Sequence, residues 1–314
     1  MGKRLLVLGW HNIDPTPGFP DPPGAGRRGF ARQLAVLARW ASVIPLRRAL
    51  DLMDADEPLP PRAVALTFDD GYRDNLELGV PMLARHDLPA TFYLVPGFLD
   101  GTVGAWWEDL SDAFDRARAP ELTWRGSRYG LTDPAGRAAA HDAVRAGLKR
   151  GDHASRVAAV AEVTEVLDPA PSSHRPLFLD WDGARALRAT GHDLGSHTVS
   201  HAILERETPQ AQAAELADSR AALERVLGPG IDTVAYPNGS AADYSEVTTA
   251  AAAAAGYRCA VTTRAGLAAR SDDRYELRRV VVTPTTDLAS VAGKVWRKAR
   301  TGAPRLLRRV AGRS

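Results

Sequence analysis

Hydrophobic positions along this chain fall into two rhythms that take turns. Short apolar runs at 4–10, 42–45, 63–68, 90–95, 192–196, 233–236, 257–262 and 279–282 have strand length. They show little internal polarity, as strands buried on both faces do. Between them the spacing becomes helical. Residues 30–40 and 74–86 place apolar side chains three and four apart, with Pro81 set to kink the second. Residues 208–227 open on Thr208 as N-cap, with Pro209 at the first helical position, and stop at Gly228. The alanine run 250–255 is closed by Gly256. Strand–helix alternation over seven or eight units implies a mostly parallel sheet under helical cover, and favours a barrel over an open sheet. In barrels, reactive residues gather at the C-terminal strand ends. Asp69 with Asp70, Ser196 with His197, and Tyr236 with Pro237 all stand there. One segment breaks the rhythm. Residues 97–175 carry no clear strand and two helical patterns, 135–149 and 154–167, and read as a helical insertion after the fourth strand. The expected organisation is one domain over 1–290 and a tail over 291–314.

Composition narrows the class without naming a partner. The 314 residues are 45% hydrophobic and 25% charged, which suits a globular protein with a sizeable core. A net charge of +2 gives no reason to expect nucleic acid, but the average conceals an asymmetry. The tail has eight Lys or Arg and no acid, which leaves −6 on the rest. Cys259 is alone, so an intrachain disulfide is excluded, and "YRCAVTT" suits a small core side chain. The apolar run after "MGKR" is six residues, short for a signal sequence. No run approaches the roughly 20 residues of a spanning helix. A soluble cytoplasmic chain is expected. The tail "KVWRKARTGAPRLLRRVAGRS" suits peripheral contact with the inner face of an anionic membrane as well as it suits a solvated end.

Two stretches carry candidate chemistry. In "VALTFDDGYRDN" two carboxylates end an apolar run and Gly71 follows at once. Bare carboxylates side by side raise one another's pKa, and a cation beside one of them relieves the conflict. Asp70 as metal ligand and Asp69 as neighbouring base would divide the work, with Gly71 permitting the turn on which both converge. Taken alone, "DDG" reads more readily as a turn or a helix N-cap. In "GHDLGSHTVSH", His197 and His201 are four apart. On a helical turn that spacing puts two imidazoles on one face about 6 Å apart, able to grip one divalent ion. Two histidines and a carboxylate make a three-ligand set with a position open for water.

Together these residues carry a resemblance. "TFDDG", followed about 130 positions later by "HTVSH", resembles the polysaccharide deacetylase family, carbohydrate esterase family 4, also called the NodB-homology domain. "LPATFYLVPG" and the "HN" pair after the first strand are similar to it as well. The likeness runs from Leu5 to about Pro284. It implies a distorted (β/α) barrel, TIM-barrel-like with about seven strands, and metal-dependent removal of N-acetyl groups from amino sugars. An N-acetylated saccharide is then the expected partner. By matching residue, Asp69 resembles the general base, and Asp70, His197 and His201 resemble the ligands of one divalent ion, with zinc expected.

Two motifs depart from the family pattern. Where many members have Arg-Pro-Pro-aromatic-Gly, this chain reads "AYPNG" over 235–239. Ala235 lacks the guanidinium that orients the base. The backbone N–H of Asn238 still suits an oxyanion hole, and Tyr236 and Pro237 are candidate sugar contacts. Asn-Gly is also a strong turn signal. The late Leu-x-His, often the source of the general acid, is replaced by "ELRRVVVTP", which offers Arg278 and Arg279. His11, ending the first strand, becomes the candidate acid because an imidazole ordinarily titrates near neutrality. Fixing the local loop or helping to orient Asp69 is its competing role. Trp107, beside Trp106, is a candidate sugar-stacking surface, although a core anchor for the insertion is the commoner role of such a pair. His86, His141, His153 and His174 read as solvated, and His192 as a strand end. The expected activity is N-deacetylation of an amino sugar in a glycan, a lipid-linked saccharide or a glycan precursor. A degraded carbohydrate-binding protein on the same scaffold and a metallohydrolase of another non-peptide amide are the alternatives.

Overall fold

Apolar runs of four to seven residues become strands wherever both faces find cover, and helical spacing fills the intervals. The computed structural model describes residues 4–20, 26–171, 176–283, 285–288, 290 and 293. The basic tail (apart from Gly293) and His174 lie outside the described residues. The chain begins β1 (Arg4–Trp10), α1 (Gly26–Trp40), β2 (Ser42–Val43), α2 (Leu46–Asp54), β3 (Ala63–Phe68), α3 (Val80–Ala84) and β4 (Thr91–Leu94). There follow α4 (Pro96–Leu99), α5 (Trp106–Asp115), β5 (Glu121–Trp124), β6 (Ser127–Gly130), α6 (Pro134–Leu148), α7 (His153–Leu167) and α8 (Trp181–Ala189). The last part is β7 (Asp193–Ser196), α9 (Pro209–Leu227), β8 (Thr233–Ala235), α10 (Glu246–Ala254), β9 (Cys259–Val261), β10 (Ala268–Ala269) and β11 (Val280–Val281).

The main sheet runs β10-β1-β3-β4-β7-β8-β9, with β2 beside β3 and β11 beside β1. Every pairing in it is parallel except β1 with β10. Residues 277–282 stitch the two ends together. Leu277 donates to Ala260 and accepts from Thr262 just past β9, and Val282 donates to Gly9 of β1. The result is the expected distorted barrel.

Successive strand side chains leave opposite faces, and two cores result. Leu5 and Val7 gather with Ala63, Ala65, Ala235 and Cys259, where α2 adds Leu46 and Leu50. Leu6, Leu8 and Trp10 join Val64, Leu66 and Phe68 beneath α1, α8 and α9. Cover on both faces explains why the runs do not alternate. Cys259 is a fully enclosed small side chain whose thiol is pushed up to about 12 by burial.

Local signals set the helix ends. Thr208 accepts the Ala211 N–H as the N-cap of α9. Before α3 the chain widens into a π-helical turn at Asn75–Gly79, where Pro81 has no N–H to offer the carbonyl four residues back. No helix among the described residues is long and apolar enough to cross a membrane.

The segment 97–175 differs from the sequence expectation in holding a β-hairpin. Leu122 is the one fully buried residue of β5, and β6 has none, so no apolar run announces either strand. Around the hairpin, α5, α6 and α7 close a separate core on Trp106, Trp107, Leu110, Phe114 and Val144. His141 belongs to it. It is half-buried, shares a hydrogen bond with Ser111 at 3.0 Å and meets Phe114 edge-on, so it is not a solvated histidine.

Parallel register brings the strand ends level. Trp10 faces Phe68, Leu94 faces Ser196, and Ser196 faces Val234. His11, Asp69, His197 and Tyr236 therefore emerge on one rim. Close approach in β7 depends on Gly195, where an added Cβ would collide with the enclosed Tyr93 ring and sit 2.9 Å from the Thr233 carbonyl oxygen. Gly195→Ala is expected to destabilise the fold by about 1–3 kcal/mol, read as a lower urea midpoint with unchanged slope.

Candidate active site

Strand alternation would send Asp69 and Asp70 to opposite faces. The turn prevents it. Asp70 has φ +70° and Gly71 φ +74°, two left-handed residues in succession that swing the second carboxylate into the same cleft as the first. The histidine pair is arranged differently from the sequence expectation. Residues 197–201 form no helical turn. A bend with Thr198 at φ +65° and His201 at φ +57° folds the pair together, with ring centroids 4.8 Å apart and planes at 76°. Glu215 of α9 pins this bend by accepting the N–H groups of Val199 and Ser200 at 2.8 and 3.0 Å and the Ser200 hydroxyl at 2.6 Å.

Asp70, His197 and His201 are buried, and one ligand atom from each lies within 4.8 Å of the others. Both Nε2 atoms approach Asp70 Oδ1, at 3.2 and 3.3 Å, yet that oxygen has no hydrogen-bond partner. Three ligand atoms that crowd one point without bonding to one another fit a divalent ion. His197 Nδ1 lies 2.7 Å from the Ala235 carbonyl oxygen, which can only accept. Nδ1 therefore carries the proton and Nε2 keeps its lone pair for a ligand. Burial raises the Asp70 pKa, but the two histidines outweigh it and hold the carboxyl below its ordinary value. Burial likewise lowers both histidines. Asp70 more than reverses this for His197, whereas His201 stays below its usual value.

The orienting guanidinium missing at Ala235 is present elsewhere. Arg279, just before β11, grips both oxygens of Asp69 at 2.6 Å. Two further donors reach Thr67 Oγ1 at 3.1 Å and the Thr262 carbonyl at 3.2 Å. Thr67 Oγ1 in turn donates to Leu8. Gly9 makes room, since a Cβ there would lie 3.0 Å from Arg279 Cδ. Burial raises the Asp69 pKa, and Arg279 followed by His197 brings it below the ordinary carboxylate value. The sequence signal for Arg279 was a charge standing inside a strand-like apolar run.

The remaining candidates divide. His11 lines the cleft with Nε2 3.9 Å from Asp69 Oδ2. Its loop is held by Asp74, which accepts the Ile13 and Asp14 N–H groups, and by Asn75, which donates to the His11 carbonyl. Asn238 also lines the cleft, with φ +58° and no partner for its N–H among the described residues. Tyr236 reaches the cleft, but its N–H is spent on Val261. Pro237 is buried and does not line it. Trp107 is both core anchor and cleft wall, with its ring 4.5 Å from that of His201 and its Nε1 donating to Tyr72. Glu108, which sequence reasoning passed over, accepts from Tyr72, Thr16 and Gly18 and ties the loop after β1 to the insertion. The cleft opens to solvent, with His11, Asp69, Asp70, His197 and His201 on its walls.

Known proteins share this fold. The family model described as polysaccharide deacetylase matches residues 56–260. The putative polysaccharide deacetylase YxkH of Bacillus subtilis (strain 168) is 23% identical over 283 residues, covering 90% of this chain and 72% of that one. Among solved structures, the Streptococcus pyogenes deacetylase PplD in complex with acetate is similar with a TM-score of 0.63 and 18% identity, covering 94% of this chain and 99% of that chain. IcaB from Ammonifex degensii has a TM-score of 0.58 at 21% identity, covering 93% and 98%. These structural likenesses show the fold.

Two measurements check the site. Elemental analysis of the purified chain should find one divalent ion, most of it lost in His197→Ala and retained in Asp69→Asn. Arg279→Met should cost about 3–5 kcal/mol of stability in denaturant unfolding, because it leaves the Asp69 charge buried without its partner.

Proposed function

The chain belongs to the polysaccharide deacetylase family, and from that premise we propose that it hydrolyses the acetamide of an amino sugar held in a glycan, a lipid-linked saccharide or a glycan precursor. The observation that carries this reading is a carboxylate fixed at both oxygens beside a buried Asp-His-His group on the same rim. A divalent ion held by Asp70, His197 and His201, zinc in our reading, would polarise the amide carbonyl and bring the pKa of water toward about 7.

Asp69 takes the proton of the attacking water. Its lowered pKa keeps it ionised at neutral pH, and Arg279 fixes its direction. As the water oxygen bonds to the carbonyl carbon, negative charge moves to the carbonyl oxygen, toward which the unpaired N–H of Asn238 is directed in this reading. His11 then donates a proton to the nitrogen as the C–N bond breaks, giving acetate and a free amine. Its Nε2, 3.9 Å from Asp69 Oδ2, places it at the mouth where the leaving nitrogen departs in this reading. A binding protein on the same scaffold has no use for a clamped base, and the buried Arg279–Asp69 pair speaks against it.

Acetate release from N-acetylated oligosaccharides tests the reading. Asp69→Asn should lose at least about 10²-fold in turnover while keeping its metal, and full activity in that variant would move the base elsewhere. His11→Ala is compared on an acetamide sugar and an activated aryl acetate whose leaving group needs no proton. A large loss on the amide with a small loss on the ester is expected. Equal losses would make His11 a positioning residue.

A further inference from the structure

One wall of the cleft has no part in the chemistry above. Helix α6 of the insertion and its C-terminal cap present Arg145 and Lys149 to the cleft beside Trp106 and Trp107. Four residues apart, they lie on one helix face about one turn from each other. Both are half-buried. The ion pairs found among the described residues use other cations, and neither Arg145 nor Lys149 forms one with a carboxylate there. Burial, then the Arg145 charge, lowers the Lys149 pKa, and Arg156 adds to the positive field. The acid that opposes it is Asp243, whose Oδ2 already accepts the N–H and hydroxyl of Ser240. The acids of the cleft are committed too, Asp69 to Arg279 and Asp70 to the histidine pair.

Two like charges held close together and partly out of water, with Asp243 acting on Lys149 only at a distance, oppose their own burial. A bound anion relieves that conflict, and a guanidinium with a neighbouring ammonium suits a phosphoryl or carboxylate group. We infer that Arg145 and Lys149 form an anion subsite, and that the N-acetylated saccharide carries a phosphoryl or carboxylate group near the sugar that loses its acetyl. The inference rests on the deacetylase reading of the site. It sets this chain apart from enzymes suited to neutral homopolymers, and it assigns that specificity to the insertion, not to the barrel.

The test compares three matched oligosaccharides of N-acetylglucosamine: neutral, 6-phosphorylated, and alternating with glucuronate. The readout is kcat/KM for acetate release. The wild type should favour one anionic form over the neutral one by about tenfold, the scale of a single charge-assisted contact. The form it favours identifies the anion. In Arg145→Ala and in Lys149→Ala that ratio should fall, mainly through KM, with partial rescue in Arg145→Lys and erosion by added salt. A wild type that prefers the neutral oligosaccharide, or a ratio unmoved by both substitutions, overturns the subsite. If none of the three releases acetate, the deacetylase reading has failed, and the subsite is then judged by calorimetric titration with glucosamine 6-phosphate and with glucuronate. Binding lost in the double variant supports it. Absent binding, or binding equal in wild type and double variant, overturns it.

Discussion

A guanidinium with no exposed surface holds a carboxylate with almost none, and much of the barrel is arranged around that contact. Neither Arg279 nor Asp69 could be buried alone, because an isolated charge loses more in leaving water than packing returns. Burial becomes tolerable because both groups are bonded at several points. Both carboxylate oxygens are gripped, and Thr67 and Thr262 take further guanidinium donors. The contact joins β3 to the segment that bonds β9 on one side and β1 on the other. The pair that aims the base therefore also pins the seam of the barrel.

Around it, backbone strain does the converging. Asp70, Thr198, His201 and Asn238 all adopt positive φ in the cleft or beside it. For Thr198, a β-branched residue, that conformation is costly. The cost persists because neighbours over-determine the loops. Glu215 occupies the N–H groups of the histidine bend, the Ala235 carbonyl fixes the His197 tautomer, and Asp74 holds the loop that carries His11. Each of these supports comes from a different element, so the ligand set is rigid only in the finished fold.

The insertion contributes a wall and not a ligand. Its own apolar core positions Trp106 and Trp107 against the cleft, and Glu108 bonds back to Tyr72, the residue after Gly71, and to the loop after β1. Barrel and insertion thus divide the site. Strand ends supply the reactive groups, and the added helices shape what lies beside them.

What the sequence by itself determined is local or periodic. The buried runs, the Thr208 cap, the barrel class and the trio of Asp70, His197 and His201 follow from spacing and residue type, which act within a few neighbours or repeat along the chain. The hairpin of β5 and β6 escaped because its strands bury almost nothing, and burial is what writes strand periodicity into a sequence. The histidine spacing singled out two residues that the fold does bring together, but through the wrong geometry. Four residues suggest a helical turn, but the bend depends on Glu215 from a later helix. Tertiary structure alone decided where the base finds its guanidinium. Arg279 lies 210 residues from Asp69 along the chain, and only strand register brings β3 and β11 to opposite sides of β1. A contact across that distance leaves one trace in the sequence, a charge inside an apolar run, and that trace says a partner exists without saying which.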